Sequence, residues 1–321
     1  MRDVCVIGLG LIGGSVLRAA SAVGRTVWGA TSSEGDAAAA RADGYDVMEV
    51  DQALRRASDR DALVVLAVPL PAIEPVLRQV AESAPTAALT DVTSVKGPVL
   101  DSVRRFVPAA RFVGGHPMAG TAESGWRAGN AALFGGSAWV ACVEEDTDLG
   151  IWAEVAQLAL DLGAHVVPIP ADSHDETVAR ISHLPHLLAA VLASVGAQGG
   201  PLAMSLAAGS YTDGTRVAGT RPELVRAMTE GNRHALLPIL DEALGRLGAM
   251  RGSLASTGGL AVTINAGHEG AQTLAATRDV HRAGVRVNLG APNAREGLCA
   301  LGERGGRVTS LAGDTAIGEV N

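Results

Sequence analysis

Val4-Cys5-Val6-Ile7 runs straight into Gly8-Leu9-Gly10-Leu11-Ile12-Gly13-Gly14. A strand that ends in Gly-x-Gly-x-x-Gly and opens a helix leaves few folds available. Each glycine has a mechanical role, in that Gly8 permits the tight turn, Gly10 lets a pyrophosphate approach the backbone, and Gly13 lets the helix pack close to the strand. The amides at the positive end of the helix, about residues 13–22, then face the phosphates. The chain is expected to hold a dinucleotide.

A length of 321 residues with 47% hydrophobic content buries a large core and suggests two domains. Only 3% of residues are aromatic, so ring stacking is not a main binding device. A net charge of -8 argues against a nucleic-acid surface, which collects excess lysine and arginine. Cys5, Cys142 and Cys299 lie far apart, without the pair spacings of structural zinc or redox sites, and read as small buried hydrophobes in a reducing compartment. The first residues form no secretory segment, and the apolar stretches at 62–73 and 187–195 fall short of the roughly 20 residues of a membrane span. A cytoplasmic chain with neither nucleic-acid nor membrane partner is expected.

Further along, residues 26–30 read as a second strand, 37–43 as the start of a helix, and 62–68 as a strand buried on both faces of a parallel sheet, closed by Pro69. Strands at 88–91, 112–114 and 138–143, with a helix at 97–106, complete the alternation of a doubly wound sheet. Helical patterns follow at 149–162, 184–195, 202–208, 222–230 and 233–251. In the last, Leu236, Leu237, Leu240, Leu244 and Leu247 recur at helical spacing, which marks core or a dimer interface. Beyond Ser253 the helical signal fades, and 285–289, 294–303 and 307–311 have the pattern of a small βαβ unit. The fold class is therefore α/β: a Rossmann-type doubly wound sheet over 1–148, a helical domain over 149–252, and a tail over 253–321.

Four other segments carry reactive side chains. Asp91-Val92-Thr93-Ser94-Val95-Lys96-Gly97 follows a strand, at the carboxyl edge where open α/β sheets bind ligands, and Ser94 reads as a helix N-cap or as a site residue. Gly114 to Trp126 also leaves a strand and sets His116 among small residues, as a loop stabiliser or a proton acceptor. Asp172-Ser173-His174-Asp175-Glu176 precedes Ser182-His183-Leu184-Pro185-His186, whose histidine spacing invites a metal. Pro185 fits a first helical turn instead, and dinucleotide chemistry needs no metal, so none is expected. Gly209 to Pro222, with Arg216 and Arg221, reads as a solvated interhelical loop or as a guanidinium fork for a carboxylate.

GLGLIGGS, DVTSVKG, GGHPMAGTAESG, SHLPH and GSYTDGTR stand in that order, and over about residues 3–250 the chain resembles the TyrA family of prephenate and arogenate dehydrogenases. The resemblance implies a Rossmann domain followed by an all-helical domain that forms a homodimer, and NAD or NADP as cofactor. It also implies oxidative decarboxylation of a cyclohexadienyl acid, taking prephenate to 4-hydroxyphenylpyruvate or arogenate to tyrosine. By position it makes His116 the acceptor of the ring-hydroxyl proton and Ser94 a hydrogen-bond partner of both. Arg216 would bind the ring carboxylate, and His186 with Ser182 the side chain at the other end of the ring. Asp213 would orient the Arg216 segment, and Gly209 belongs to the same substrate-binding set. The cofactor set is Gly8, Gly10, Leu11, Ile12 and Gly13, then Thr31 and Ser32 after the second strand, then Val68 and Pro69 after the third.

Loss of hydride and carbon dioxide makes an aromatic ring, so the enzyme mainly orients its substrate and removes one proton, a step that suits a neutral imidazole. Some features depart from the family pattern. No acidic residue ends the second strand, where Thr31-Ser32-Ser33 stands with Glu34 a little late, so NAD and NADP both remain open. Some relatives carry lysine at the position of Thr212 and glutamate at that of Ala122, which leaves prephenate, arogenate and an amino-substituted prephenate in play. The tail does not read as a complete ACT regulatory domain. Two other classes fit less well. A β-hydroxyacid-type dehydrogenase uses a lysine on its helical side, whereas the single lysine here, Lys96, lies in the first half. A nucleotide sensor without turnover would need no set of His116, Ser94 and Arg216.

Overall fold

A computed structural model describes residues 1–121, 123–277 and 282–320. The chain opens with β1 (Val4–Ile7), α1 (Leu11–Ala22), β2 (Val27–Ala30), α2 (Glu34–Ala42), α3 (Val50–Asp59), β3 (Leu63–Leu66), α4 (Ile73–Ser83), β4 (Ala88–Asp91), α5 (Gly97–Phe106) and β5 (Arg111–Val113). It continues through β6 (Gly115–Pro117), β7 (Ala138–Cys142), α6 (Leu149–Asp161), β8 (His165–Ile169) and α7 (Ala171–Val178). Helices α8 (Leu184–Ala197), α9 (Gly200–Ser205), α10 (Gly209–Thr215), α11 (Pro222–Gly231), α12 (Arg233–Ser256) and α13 (Ala261–Ala276) follow. The described chain closes with β9 (Ala283–Asn288), α14 (Ala294–Glu303), β10 (Arg307–Ala312) and β11 (Thr315–Val320).

The first sheet is wholly parallel, in the order β2-β1-β3-β4-β5. Its strands are short continuous apolar runs because both faces are covered. Val4, Val6, Leu63 and Val65 enter the core shared with α1 and α6, while Cys5, Ile7, Val64 and Leu66 enter the one shared with α3, α4 and α5. The connections reverse direction between β1 and β3, so the crevice beyond their carboxyl ends is a topological switch point.

The strands read at 112–114 and 138–143 belong to two sheets rather than one. The ladder ends at Thr90 opposite Val113, and the amide of Gly115 donates to the Asp91 side chain instead of to a strand. This turns the chain into a second sheet, ordered β6-β7-β8-β10-β11-β9, in which His116 pairs with Val140. His116 therefore stands on a strand, not on a loop. β8 lies just beyond the helix read at 149–162, in the half expected to be all helical, and the tail adds three strands to the same sheet. Leu298, Leu301, Val308, Ala316 and Val320 share one core with Trp139 and Trp152.

By packing, the chain forms two compact units: residues 1–175, 220–231 and 284–320, and residues 176–219 and 232–283. The boundaries expected at 148 and 252 do not coincide with these. The second unit is helical among its described residues and includes α13, which the fading helical signal concealed. Between α7 and α8 the helix widens into a π turn over Ala179–His183, just before Pro185. A proline cannot donate to the carbonyl one turn back, and the wide turn absorbs that loss. The segment read as an interhelical loop is α10 followed by a tight turn, Arg216–Gly219, and the Tyr211 hydroxyl pins it by donating to Ala193 O at 3.0 Å. The helical run 171–197 is long and apolar enough to cross a membrane by length and composition, which the shorter stretch 187–195 did not reveal. Cys5 and Cys142 are buried, Cys299 is half-buried, and burial raises all three thiol pKa values.

All four tryptophans lie in the first unit. Leu298→Ala in α14 is expected to destabilise that unit by about 2–5 kcal/mol, read as a lower urea midpoint of tryptophan fluorescence. An unchanged midpoint would make residues 284–320 an appendage.

Candidate functional site

The sequence-predicted cofactor residues come together at the switch point. Gly8 adopts φ +102°, a left-handed conformation, and a Cβ there would lie 2.5 Å from Ala67 O. A Cβ on Gly13 would stand 1.9 Å from Gly8 O, so α1 reaches the strand only because this position is bare. At Gly10 an added Cβ would meet nothing within 4 Å. The start of α1 has no side-chain cap, so the amides of Leu11, Ile12 and Gly13 and the helix dipole are offered to an anion in that open space. The residues present thus fit a dinucleotide pyrophosphate. Val68 and the exposed Pro69 flank the turn at the end of β3. Thr31 and Ser32 leave the end of β2, where the Thr31 hydroxyl accepts from Ser33 N at 3.3 Å and Ser33 caps α2 by accepting from Asp36 N at 3.3 Å. The first turn of α2 is acidic, with Glu34 and Asp36.

A second group gathers around His116. Asp91, fully buried at the end of β4, accepts from Gly115 N at 3.0 Å with Oδ1 and from Thr93 N at 3.0 Å with Oδ2. The Lys96 ammonium, equally buried, pairs with Asp91 Oδ2 and donates to Gly115 O at 2.5 Å and to Thr93 Oγ1 at 3.2 Å. Both backbone polar groups of the residue before His116 are thereby held by one ion pair. From α7, Asp175 caps α5: its two oxygens accept from Lys96 N at 2.8 Å and Gly97 N at 2.9 Å. The same carboxylate lies 2.7 Å from His174 Nδ1, and His174 Nε2 lies 2.8 Å from His116 Nδ1. The two imidazoles meet edge to face at 5.1 Å between centroids.

Burial holds the His174 imidazole below its ordinary pKa, and Lys96 adds to this against the pull of Asp175. Burial pushes the Asp175 carboxyl up, but the His174 contact and the amides of Gly97 and Lys96 outweigh it and hold the group below the usual carboxylate range.

These contacts correct two expectations. His116 Nδ1 is taken by His174 rather than by Ser94, and the α5 cap comes from Asp175 rather than from Ser94. Ser94 is half-buried and makes no side-chain hydrogen bond among the described residues. Sequence reasoning gave Asp91, Lys96, His174 and Asp175 no part in holding His116.

In the second unit, His186 Nδ1 donates to the backbone O of Ser182 at 2.8 Å, so these two residues do come together, one turn apart. His183 is buried, with Nδ1 3.1 Å from Asn232 Nδ2. Among the described residues no three His, Cys, Asp or Glu side chains gather as a metal site. Gly209 opens α10, Asp213 lies on it, and Arg216 follows in the tight turn; all three are exposed. Asp213 makes no ion pair with Arg216 among the described residues, and it stands on the helix that leads into the Arg216 turn. Ala122 lies outside the described residues.

Residues 14–168 match the family model for the prephenate dehydrogenase nucleotide-binding domain, and residues 170–258 that for the prephenate dehydrogenase dimerization domain. A cyclohexadienyl dehydrogenase of Zymomonas mobilis is 32% identical over 270 residues, 80% of this chain and 90% of that protein. A solved structure from Corynebacterium glutamicum, provisionally assigned as a prephenate dehydrogenase, is 44% identical with a TM-score of 0.89 over 95% of this chain and 98% of its own. The arogenate dehydrogenase of Synechocystis is 28% identical with a TM-score of 0.70, over 86% and 99% respectively.

The two shifted groups fix the direction of an acid effect. His174 has a lowered folded pKa, so the unfolded chain binds its proton first and stability falls as pH drops below about 6.5. The contribution of Asp175 is present above about pH 4 and is lost as pH falls through its lower folded value. Urea unfolding between pH 8 and pH 3 should therefore show decreasing stability in two stages, and Asp175→Asn should shrink the second, to which the lowered Asp43, Asp61 and Glu242 also contribute. A profile flat from pH 8 to pH 5 would contradict the His174 assignment.

Proposed function

This chain belongs to the prephenate dehydrogenase family, and from that premise we propose that it catalyses the NAD(P)-dependent oxidative decarboxylation of prephenate to 4-hydroxyphenylpyruvate. The observation that carries the reading is the position of His116. It stands just past the carboxyl end of β5, its backbone clamped through Gly115 and its ring through His174, on the sheet edge that also bears the glycine turn. NAD(P)+, when bound, takes the hydride from ring C4. The hydroxyl proton passes to His116, and the O–H electron pair becomes the C4–O double bond. Departure of carbon dioxide returns a pair to the ring, and the oxygen recovers the proton as the phenol. Arg216 binds the ring carboxylate, His186 and Ser182 the side-chain end, and Ser94 the hydroxyl, with Gly209 and Asp213 on the helix that presents Arg216. Glu34 and Asp36 disfavour a 2′-phosphate, so NAD is the better cofactor. The Zymomonas, Corynebacterium and Synechocystis relatives are dehydrogenases by name, which leaves the sensor reading without support.

The helical unit exposes Leu188, Val191, Leu192 and Val195 along α8, Leu202 and Leu206 in and after α9, and Leu237, Leu244 and Leu247 along α12. So much apolar surface on a unit that matches a dimerization domain supports a homodimer as its cover. Sedimentation should show a dimer at micromolar concentration, and a monomer there would count against it.

Steady-state rates with prephenate and arogenate, each against NAD and NADP, test the activity directly: prephenate with NAD should be fastest, and a faster arogenate reaction would reassign the substrate. His116→Asn should lower kcat at least 100-fold with cofactor affinity intact, and retained turnover would remove its role. Arg216→Ala should raise the prephenate KM roughly tenfold or more, the cost of one charge-assisted pair; an unchanged KM would refute it.

A further inference from the structure

We propose that His174 and Asp175 are positioning residues that fix His116 in the tautomer protonated at Nδ1, so that Nε2 is the atom that receives the substrate proton. This rests on the reading of His116 as proton acceptor.

The proton positions follow from what each group can donate. Asp175 as a carboxylate has only acceptors. Its ionised state is favoured by two backbone donors at the positive start of α5, the amides of Lys96 at 2.8 Å and Gly97 at 2.9 Å. His174 Nδ1, 2.7 Å from that carboxylate, must therefore carry a hydrogen. A neutral imidazole with hydrogen on Nδ1 has a lone pair on Nε2, and burial keeps His174 neutral. His174 Nε2 then accepts, and His116 Nδ1 at 2.8 Å must donate. His116 is left with its lone pair on Nε2. The alternative tautomer of His174 would reverse both steps and turn His116 Nε2 into a donor, which cannot take a proton.

The arrangement also serves the charged state. When the substrate O–H bond breaks and the proton joins His116 Nε2, the Nδ1 hydrogen remains hydrogen-bonded to His174, and the new positive charge lies on the line that ends at the Asp175 carboxylate. Lys96, the other cation facing His174, is neutralised by Asp91. A peptide chain folded only for stability gains little from a buried imidazole set between a half-buried one and a carboxylate, since an apolar cluster of the same volume is often as stable.

His174→Leu and His174→Gln separate positioning from scaffolding. Leucine breaks the line. A glutamine amide keeps its polarity, donating to Asp175 from nitrogen and accepting from His116 at oxygen, and both variants leave the cap on α5 in place. With prephenate and NAD in the full-length protein, His174→Leu should lose at least 100-fold in kcat, with KM for both substrates within about threefold and the urea midpoint of the tryptophan signal measured alongside. His174→Gln should recover at least tenfold of that loss. Unchanged kcat in His174→Leu, or equal losses in the two variants, would overturn the proposal while leaving His116 as base. Full activity in His116→Asn would instead overturn the underlying reading.

Discussion

A buried ion pair repays its desolvation only when the rest of its hydrogen-bonding capacity is also used. Asp91 and Lys96 meet that condition by closing on the backbone of Gly115, the carboxylate taking its N–H and the ammonium giving to its carbonyl. Everything at the site depends on this grip. It stops the ladder of the first sheet, starts the second, and sets His116 on a strand at the carboxyl edge. Asp175 does the complementary work on the ring, and because it also caps α5, the segment bearing Ser94 and the imidazole line share one anchor.

The dinucleotide turn was legible because its residues act locally. Gly8, Gly10 and Gly13 each answer to a neighbour a few positions away or on the adjoining strand, so their spacing states their purpose, and the structure shows a close approach at two of them and open space at the third. The sheet edge was legible for a related reason, since a strand that ends in polar or glycine-rich sequence must end there. The imidazole line was not. His174 is 58 residues from His116, and no spacing relates them. The nearby histidines at 183 and 186 drew attention for a metal instead, because three-residue spacing is a local signal and a partner on another element is not. α10 was hidden by its glycine, serine and threonine content, which weakens helix propensity until Tyr211 ties the segment to α8. Two of the tail's strands could be outlined, but β11, which pairs antiparallel with β10, was not read, and the joining of β10 to β8 depends on a parallel pair already built by β7, which composition cannot announce.

The two units carry different kinds of chemistry. The first holds the glycine turn and the His116–His174–Asp175 line, with the buried charges of Asp91 and Lys96 compensated against each other. The second leaves long apolar helical faces exposed and sets its polar residues on a π turn and on α10. Wide π turns recur where a helix must present side chains out of ordinary register. Here the turn lies between His174, whose ring meets His116, and His186, whose Nδ1 donates to Ser182 O.

The chemistry at His116 comes down to the location of one proton. Nitrogen-15 NMR of histidine-labelled protein at neutral pH, with the His116 signals assigned by their absence from His116→Asn, reads it directly. The expected result is a hydrogen on Nδ1 and a pyridine-like Nε2 without one on His116. A hydrogen on Nε2 in the resting protein would contradict it.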